Sequence, residues 1–273
     1  MSFFGAPSDA VRLPSGRPMP LLGFGTWRLT GRTAHVSVSS ALEVGYRHID
    51  TATMYGNERQ VGAALKESRL AVDDVFLTGK FAPDRFGRYG VDLRVRPRRA
   101  RPTLEQSLES LGVPQLDLWL LHWPPRSGVG VSVWEQFVAA RDEGLVRDIG
   151  VSNYSLEQLD ELIARTGLAP AVNQIRWGPS QFDRAVLEGH RERGVALEGY
   201  SGLQDGVLND PTVVQIAHRL GHTPAQVVIR WHLDHSVAVI PRSRDPEHIR
   251  TNAEVAGIRL SESDRAALDA LAD

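Results

Sequence analysis

Short apolar runs, rich in branched and aromatic residues, alternate along the chain with segments of helical periodicity. Such runs are typical of strands that are buried on both faces. Apolar residues spaced three or four positions apart predict the intervening helices, for example those near Thr103, Val133 and Leu156. The predicted strands lie near residues 21–27, 46–50, 74–80, 116–122, 147–151, 171–175, 195–200 and 237–241. This alternation predicts an α/β fold, a (β/α)8 TIM barrel.

A β-hairpin is predicted ahead of the barrel, because a Ser15-Gly16 turn separates two short extended arms between Val11 and Leu21. The length of 273 residues fits one barrel of roughly 250 residues better than two independent domains. No internal linker divides the pattern. We therefore predict a single barrel domain over residues 1–273.

The composition narrows the classes of function. Lysine and arginine total 31 against 33 acidic residues, so no overall basic field favours nucleic-acid binding. Cysteine is absent, which excludes disulfides and thiolate chemistry and is compatible with the cytosol. No apolar stretch approaches the ~18 residues that span a membrane, and no signal peptide is recognisable. We predict a cytoplasmic protein without nucleic-acid or membrane partners.

Residues 84–102 carry an unusual density of arginine. This segment is either an anion-binding loop or a solvated connection, and the second interpretation is favoured. The arginines stand at positions 85, 88, 94, 96, 98, 99 and 101.

The nine histidines raise the question of a metal site. His232 and His235 lie three residues apart on one predicted helix. Because no third ligand stands nearby in the sequence, we predict no metal site.

Four polar residues lie at or just after the ends of predicted strands: Asp50, Tyr55, Lys80 and His122. The carboxyl ends of parallel strands share one mouth of a barrel, where active sites lie. A tyrosine titrates near ~10, and a neighbouring ammonium would favour the phenolate and lower that pKa. A carboxylate would hold the lysine charged, and a histidine could hydrogen-bond the reacting oxygen. The group therefore predicts a general acid that protonates a carbonyl oxygen.

Each of these residues also has a structural explanation. Asp50 could cap a turn, Tyr55 could be a core aromatic, Lys80 a surface charge and His122 a satisfied buried imidazole. Taken singly, each residue favours the structural explanation. Their joint placement at strand ends favours catalysis.

Several motifs, in order along the chain, resemble the aldo-keto reductase family from residue 21 to the helix after Asn252. The resemblance implies that Tyr55 is the general acid, assisted by Lys80 and Asp50, while His122 orients the carbonyl. It also implies hydride transfer from a reduced nicotinamide, a small carbonyl substrate, no metal and a monomer. The motifs are Leu21-Leu-Gly-Phe-Gly-Thr-Trp27, Gly45-Tyr-Arg-His-Ile-Asp-Thr-Ala-Thr-Met-Tyr-Gly-Asn-Glu58, Leu111-Gly-Val, Asp117-Leu-Trp-Leu-Leu-His-Trp-Pro124 and Ile149-Gly-Val-Ser-Asn153.

The cofactor contacts that the resemblance implies come from four stretches of the chain. Ser152, Asn153 and Gln174 are expected to bind the nicotinamide carboxamide and so set which ring face meets the substrate. Tyr200 is expected to stack on the ring. The remaining expected contacts are Ser201, Leu203, Arg242, Ser243, Arg244, His248 and Asn252.

The adenosine end departs from the family pattern. His248 stands where the family has an arginine, and a neutral histidine offers little charge to a 2′-phosphate. Asp245 would repel such a phosphate and could accept a ribose hydroxyl. Arg242 and Arg244, by contrast, would attract the 2′-phosphate. We therefore predict NADPH (NADP) use with unusual tolerance of NADH.

Two other stretches depart from the family pattern. The family's usual Thr-Lys is Gly79-Lys80 here, which retains the ammonium. Its usual Ala-Tyr-Ser-Pro-Leu has Gly199 and Gly202 here, and Asp205 stands where a small hydroxyl residue often approaches the pyrophosphate.

Specificity in this fold lies in strand-to-helix loops, and two of these are short in the sequence. Only residues 125–132 separate the fourth strand from its helix, and the chain ends at Asp273 soon after the helix near Ser261. We expect an open cleft with broad tolerance of small carbonyl compounds. Trp27, Met54 and Trp123 are its predicted walls.

Two other classes of function stay open at this point. A non-catalytic nicotinamide-nucleotide sensor on the same barrel would bind the cofactor tightly and turn it over poorly. An unrelated barrel enzyme, such as an aldolase or isomerase, would have no use for the Ser-Asn-Gln set. Retention of all four strand-end residues favours the reductase.

Overall fold

The computed structural model describes residues 10–83, 86–87, 90–91 and 99–272. It begins with an antiparallel hairpin of β1 (Ala10–Arg12) and β2 (Pro18–Pro20), as the sequence predicts. The remaining strands are β3 (Phe24–Gly25), β4 (His48–Asp50), β5 (Phe76–Phe81), β6 (Phe86–Gly87), β7 (Gly90–Val91), β8 (Leu116–Leu121), β9 (Val146–Ser152), β10 (Val172–Arg176), β11 (Ala196–Tyr200) and β12 (Ala238–Val239).

Eight of these strands form one parallel sheet, in the order β3-β4-β5-β8-β9-β10-β11-β12. The first and last strands meet through a parallel bridge between Leu22 and Val239, which closes the sheet into a barrel. The predicted (β/α)8 barrel with an N-terminal hairpin is confirmed. Its first and last strands are shorter than predicted, because regular pairing covers only two residues of each.

The described part of the chain contains ten α-helices, of which α1 to α6 each separate two barrel strands, α7 and α8 together precede β12, and α9 and α10 follow it. Several begin at sequence signals for a helix start: Ser155 and Gln158 form a capping box, as do Thr223 and Gln226. The helices are α1 (Gly31–Val44), α2 (Glu58–Ser68), α3 (Ala100–Leu111), α4 (Val131–Asp142), α5 (Leu156–Thr166), α6 (Arg184–Glu192), α7 (Pro211–Leu220), α8 (Pro224–Asp234), α9 (Pro246–Ala253) and α10 (Glu262–Asp269).

The main core lies between the barrel and its surrounding helices. Trp119 of β8 is fully buried and stacks on Phe137 of α4, with ring centroids 3.7 Å apart. Gly79 of β5 lies against Leu116, whose Cδ1 atom would be 2.7 Å from an added Cβ. Leu116 therefore fills the space of a larger residue at the position before Lys80.

The hairpin packs against the amino ends of the barrel strands. In its turn, the Ser15 backbone N–H donates to Asp148 Oδ1 at 3.1 Å, near the start of β9. Arg17 Nε donates to Asp117 Oδ1 at 2.8 Å, near the start of β8. These contacts cover the end of the barrel opposite the predicted active site.

Most of the arginine-rich segment lies outside the described residues. The described part includes the paired strands β6 and β7 and the first turn of α3. There Arg101 forms surface ion pairs with Glu105 and Glu143. The choice between an anion-binding loop and a solvated connection therefore stays open.

The two histidines considered as metal ligands have separate hydrogen-bond partners. The prediction placed both on one helix, but α8 ends at Asp234, one residue before His235. His232 Nδ1 donates to the Val228 carbonyl at 2.8 Å, while His235 Nε2 lies 2.8 Å from Asp269 Oδ1. Among the described residues, no group of three or more His, Asp or Glu side chains is arranged to hold a metal ion. These residues also form no helix that is long and apolar enough to cross a membrane.

Candidate active site

The four strand-end residues meet at the carboxyl end of the barrel. Asp50 is the last residue of β4, Lys80 is the penultimate residue of β5, and His122 directly follows β8. Tyr55 ends a short 3-10 turn (Thr53–Tyr55) that follows β4. Adjacent parallel pairing of β4, β5 and β8 brings these four side chains into one mouth.

Lys80 is the centre of this group. Its ammonium donates to Asp50 Oδ1, to the Thr51 carbonyl at 3.3 Å and to the Tyr55 hydroxyl oxygen at 3.3 Å. The side chains of Lys80 and Asp50 are almost fully buried. Burial disfavours the ammonium, but Asp50 and Tyr55 more than offset it, so the pKa of Lys80 is raised overall. Lys80 therefore stays protonated.

Tyr55 differs in one respect from the expectation. Burial raises the pKa of its hydroxyl, while the Lys80 ammonium lowers it, and burial is the larger effect. The lysine acts in the predicted direction, but the net pKa shift in the free protein is upward. Tyr55 is therefore protonated at neutral pH and has a cation beside its oxygen.

His122 lies edge-on to Tyr55, with ring centroids 5.7 Å apart. Burial, and then the nearby Lys80 charge, hold the pKa of His122 well below its ordinary value, so the imidazole is neutral. Its Nδ1 atom is buried and has no hydrogen-bond partner within the described ranges. The backbone is held in place by Asn153 Nδ2, which donates to the His122 carbonyl at 3.0 Å.

A buried polar network continues below the lysine and includes two residues that sequence reasoning did not assign to the site. Gln174 Nε2 donates to Asp50 Oδ2 at 2.8 Å and to Glu198 Oε2 at 2.9 Å. His48 Nε2 lies 3.6 Å from Glu198 Oε1. We call His48, Asp50, Lys80, Gln174 and Glu198 the core cluster. Glu198 was recognisable as a carboxylate inside a buried strand, where an ionisable side chain is rarely found without a partner.

The residues expected to bind a carboxamide form one connected set. Ser152 Oγ donates to the Gln174 carbonyl at 2.7 Å, and Asn153 Nδ2 donates to Ser152 Oγ at 3.0 Å. The Tyr200 hydroxyl donates to Asn153 Oδ1 at 2.6 Å. Because the Gln174 amide nitrogen is committed to two carboxylates, its Oε1 is the atom that can accept from a carboxamide NH2.

The two glycines beside Tyr200 have a packing explanation. A Cβ at Gly202 would lie 2.8 Å from His232 and from the Trp177 carbonyl, and one at Gly199 would lie 3.2 Å from both residues. His232 is fully buried, and burial lowers its pKa to about 4. The neutral imidazole therefore occupies space that the family's alanine and proline would need.

The loop after Tyr200 is held by an ion pair that the sequence did not predict. Arg176, at the end of β10, pairs with Asp205, and Gln181 Nε2 donates to the same carboxylate at 3.4 Å. Ser201 and Leu203 lie on this loop and are half-buried. Asp205 is thus paired with a cation, which reduces the repulsion that a free carboxylate would exert on a pyrophosphate.

Three guanidinium groups gather at the rim of the mouth: Arg28, Arg242 and Arg244, which we call the rim arginines. Burial, and then the charges of Arg28 and Arg244, lower the pKa of Arg242, so both of these cations lie near Arg242. No carboxylate in the described segments forms an ion pair with any of them. Such a group is suited to a phosphate-bearing ligand. Arg28 was missed because it stands far from the predicted phosphate motif in the chain.

The adenosine-end residues lie beside the rim arginines in sequence and are mostly exposed. The His248 and Asp245 side chains are 72% and 51% exposed, with His248 Nδ1 4.0 Å from Asp245 Oδ2. Asp245 Oδ1 accepts from the Glu247 N–H at 2.9 Å and caps α9. Ser243 Oγ accepts from the Asp245 N–H at 3.0 Å, and Asn252 is buried.

The three predicted pocket walls surround the tyrosine and histidine. The Trp27 ring lies 4.8 Å from Tyr55, and the Trp123 ring lies 4.8 Å from His122. Trp27 is 44% exposed and Met54 38% exposed, unusually high fractions for large apolar side chains. These two walls are therefore open to solvent.

A closed (β/α)8 barrel with an Asp-Tyr-Lys-His group at its carboxyl end defines the class of protein. The family model described as the aldo/keto reductase family matches residues 21–273. The chain is 40% identical over 265 residues to methylglyoxal reductase DkgA of Yersinia pestis, which covers 96% of this chain and 92% of that protein.

Solved structures give the same result. An aldo/keto reductase from Brucella melitensis superposes with a TM-score of 0.85 at 36% identity, covering 96% of this chain and 98% of that one. A Bombyx mori aldo-keto reductase in complex with NADP has a TM-score of 0.84 at 27% identity, covering 96% and 92%. The chain belongs to the aldo/keto reductase family. Membership supports an oxidoreductase activity, as predicted.

Proposed function

We propose that this protein reduces aldehyde and ketone carbonyl groups to alcohols with a reduced nicotinamide cofactor, with Tyr55 as the general acid. One observation carries the proposal: the Lys80 ammonium donates to both Asp50 and the Tyr55 hydroxyl. That arrangement is what a phenol needs to act as an acid at neutral pH.

Each side chain has a separate role in the proposed reaction. Tyr55 donates its hydroxyl proton to the carbonyl oxygen as that oxygen gains negative charge. The adjacent Lys80 ammonium then stabilises the phenolate, and Asp50 keeps the ammonium in position. Neutral His122, edge-on to the tyrosine ring, hydrogen-bonds the carbonyl oxygen and orients it. Preorganised donors of this kind need no reorganisation during the reaction.

The cofactor site follows from two groups of residues that fit its two ends. Ser152, Asn153 and Gln174 would bind the carboxamide, with Tyr200 stacked on the ring, and the rim arginines would bind the phosphates. When bound, the reduced nicotinamide supplies the hydride. The uncompensated charge of the rim arginines is the observation that supports a phosphate-bearing ligand.

NADPH is the proposed cofactor, with NADH also accepted. The rim arginines favour the extra phosphate. His248 is exposed and lies 4.0 Å from Asp245, so this pair adds little net positive charge at the adenosine end. A modest preference for NADPH follows.

Methylglyoxal and other small 2-oxoaldehydes are the proposed substrate class. The support is the 40% identity to a protein named methylglyoxal reductase together with the exposed walls at Trp27 and Met54. A short, open cleft holds a small carbonyl compound at the reacting end and encloses a large one poorly. Broad tolerance with weak ground-state binding is therefore expected.

The test is steady-state oxidation of NADPH and NADH with methylglyoxal, a reactive aromatic aldehyde, a diketone and bulky ketones. Tyr55→Phe removes the proton donor and should lower kcat by about 10²–10⁴-fold while cofactor affinity, measured by fluorescence titration, is retained. Tight cofactor binding without turnover of any carbonyl by the wild type would contradict the proposal and favour a nucleotide sensor. A single substrate favoured by several orders of magnitude would contradict the broad tolerance alone.

Four expectations stay predictions: one domain over residues 1–273, a monomeric state, a cytoplasmic location and the absence of metal and nucleic-acid partners.

A further inference from the structure

The core cluster contains more negative charge than its single lysine balances. Asp50 and Glu198 are both buried, and Gln174 joins them through one amide nitrogen. Lys80 contacts Asp50 but makes no hydrogen bond to Glu198 in the described structure. With both carboxylates ionised and His48 neutral, the interior of the barrel would hold one unbalanced negative charge. Such a charge costs several kcal/mol.

The surroundings of Glu198 show where a balancing proton can reside. Glu198 Oε1 is buried without a hydrogen-bond partner among the described residues, and the nearest basic atom is His48 Nε2 at 3.6 Å. His48 Nδ1 lies 3.1 Å from the Pro20 carbonyl. Because a carbonyl only accepts, Nδ1 carries a hydrogen, and Nε2 is free to accept one. Thr78 Oγ1 is also 3.0 Å from Nε2 and can donate or accept there.

We propose that Glu198 and His48 share one proton beneath the lysine, and that this proton keeps the core cluster electrically neutral and so positions Tyr55 as an acid. The proton is bound mainly to Glu198 Oε1, because burial lowers the pKa of His48 to about 4, and His48 Nε2 holds it in a minor state. In the first state both residues are neutral, and in the second they form an ion pair. The total charge is the same, so Asp50 and Lys80 experience a neutral neighbourhood in both states. Glu198 and His48 are positioning residues, since neither lies among the strand-end residues that meet the substrate.

The effect on Tyr55 has a definite sign. The charged and titratable groups that face Glu198 across the barrel interior are Asp50 and His48 of β4 and Lys80 of β5, and Tyr55 also interacts with it electrostatically. Burial, and then Asp50, raise the pKa of Glu198 to about 8. Once the proton is lost, the Glu198 carboxylate raises the pKa of Tyr55 further, because it disfavours a phenolate. Tyr55 is thus a stronger acid below that pH and a weaker acid above it.

An NMR titration tests the shared proton without any turnover. Protein labelled with 13C at the glutamate carboxyl carbons is titrated, and the Glu198 resonance is identified by its loss in Glu198→Gln. The resonance is expected to change near pH 8. Should Glu198→Gln fail to fold, Glu198→Met serves the same purpose, since it removes the carboxyl group and its need for a partner. A midpoint in the ordinary glutamate range, near ~4, would overturn the proposal.

The kinetic test rests on the proposed reductase function. From about pH 7 to about pH 9, kcat/KM for a slowly reduced carbonyl should fall about tenfold in the wild type, because ionised Glu198 raises the pKa of Tyr55 and weakens the acid. Glu198→Gln should remove this fall. The matched control is Glu58→Gln, because Glu58 is also a buried carboxyl of raised pKa, yet it interacts with Ser107 rather than with the core cluster.

The two measurements separate the failure of this inference from that of the proposed function. If no carbonyl is reduced, the proposed function fails, and the NMR midpoint still decides whether the proton is held. If turnover occurs but kcat/KM of the wild type does not fall with rising pH, the claimed effect of Glu198 on the acidity of Tyr55 is wrong. It is also wrong if the fall in kcat/KM persists in Glu198→Gln.

Discussion

The buried cation of the core cluster is paired with a carboxylate, whereas the cations at the rim of the same barrel mouth form no ion pair within the described residues. In the core cluster, Lys80 is buried against Asp50, and Gln174 of β10 donates a further hydrogen bond to the same carboxylate. At the rim, three arginines lie close together, and no carboxylate of the described residues pairs with them. Both regions lie at the mouth of the same barrel, yet only the cation of the first has a counter-charge within the described residues.

This difference indicates that the core cluster serves the chemical step, whereas the rim arginines serve cofactor affinity. A buried, hydrogen-bonded cluster holds its geometry before substrate arrives, so its contribution to the reaction needs no reorganisation. An exposed cationic rim interacts with the bound ligand through solvent-screened charges, so its contribution depends on ionic strength. Variants of the core cluster should therefore alter kcat and stability, whereas variants of the rim arginines should alter cofactor affinity.

Removing the Lys80 charge is the most severe test of the comparison between the core cluster and the rim arginines. Lys80→Met leaves Asp50 buried without its cation, which should lower the free energy of unfolding by about 3–5 kcal/mol. Urea unfolding followed by circular dichroism measures this. Adding Asp50→Asn should restore most of the lost stability but not kcat, since the proton donor stays without its ammonium. If Lys80→Met alone is as stable as the wild type, solvent must reach Asp50.

Truncating a rim arginine tests the prediction that the rim arginines determine cofactor affinity. Arg242→Ala should weaken NADPH binding about tenfold, the loss of one charged hydrogen bond. The decline of affinity with added salt should also be shallower than in the wild type. Fluorescence titration at two salt concentrations measures both effects, with kcat unchanged. Arg12→Ala, in the hairpin at the opposite end of the barrel, is the matched control. An equal loss in the control would mean that net charge alone is responsible.

The smallest effect is expected at the adenosine end. His248→Arg places a permanent cation where the structure has an exposed imidazole, and it should raise the ratio of NADPH to NADH preference by up to about tenfold. The measurement is kcat/KM for both cofactors at a fixed carbonyl concentration. A wild-type preference for NADPH beyond about a thousandfold would contradict the predicted tolerance of NADH before the variant is made.

Much of the architecture could be predicted from local patterns. All eight barrel strands and the hairpin were located, because buried strands and tight turns carry their pattern within a few residues. The extents of β3 and β12 were not, because a strand ends where its partner's hydrogen bonds end. The partner of β3 on the closing side, Val239, lies at the far end of the chain.

In the candidate site, too, some features were predicted from the sequence and others were not. Four strand-end residues were recognised from their position, and the fold brings them together. The upward pKa shift of Tyr55 was not predicted, because burial depends on packing that a sequence motif does not describe. Arg28 was missed because its nearness to Arg242 exists only after the barrel closes.

The sequence by itself determined which groups are available: a tyrosine, a lysine, a carboxylate and a histidine at the ends of strands that must share one mouth. Only the tertiary structure decided how their charges are balanced, because that balance depends on contacts such as Gln174 with Asp50, 124 residues apart in the chain. The apolar pattern of a strand is local, so it can be recognised in the sequence alone. The electrostatic environment of a buried proton is the sum over residues from many strands, and it exists only once those strands close into a barrel.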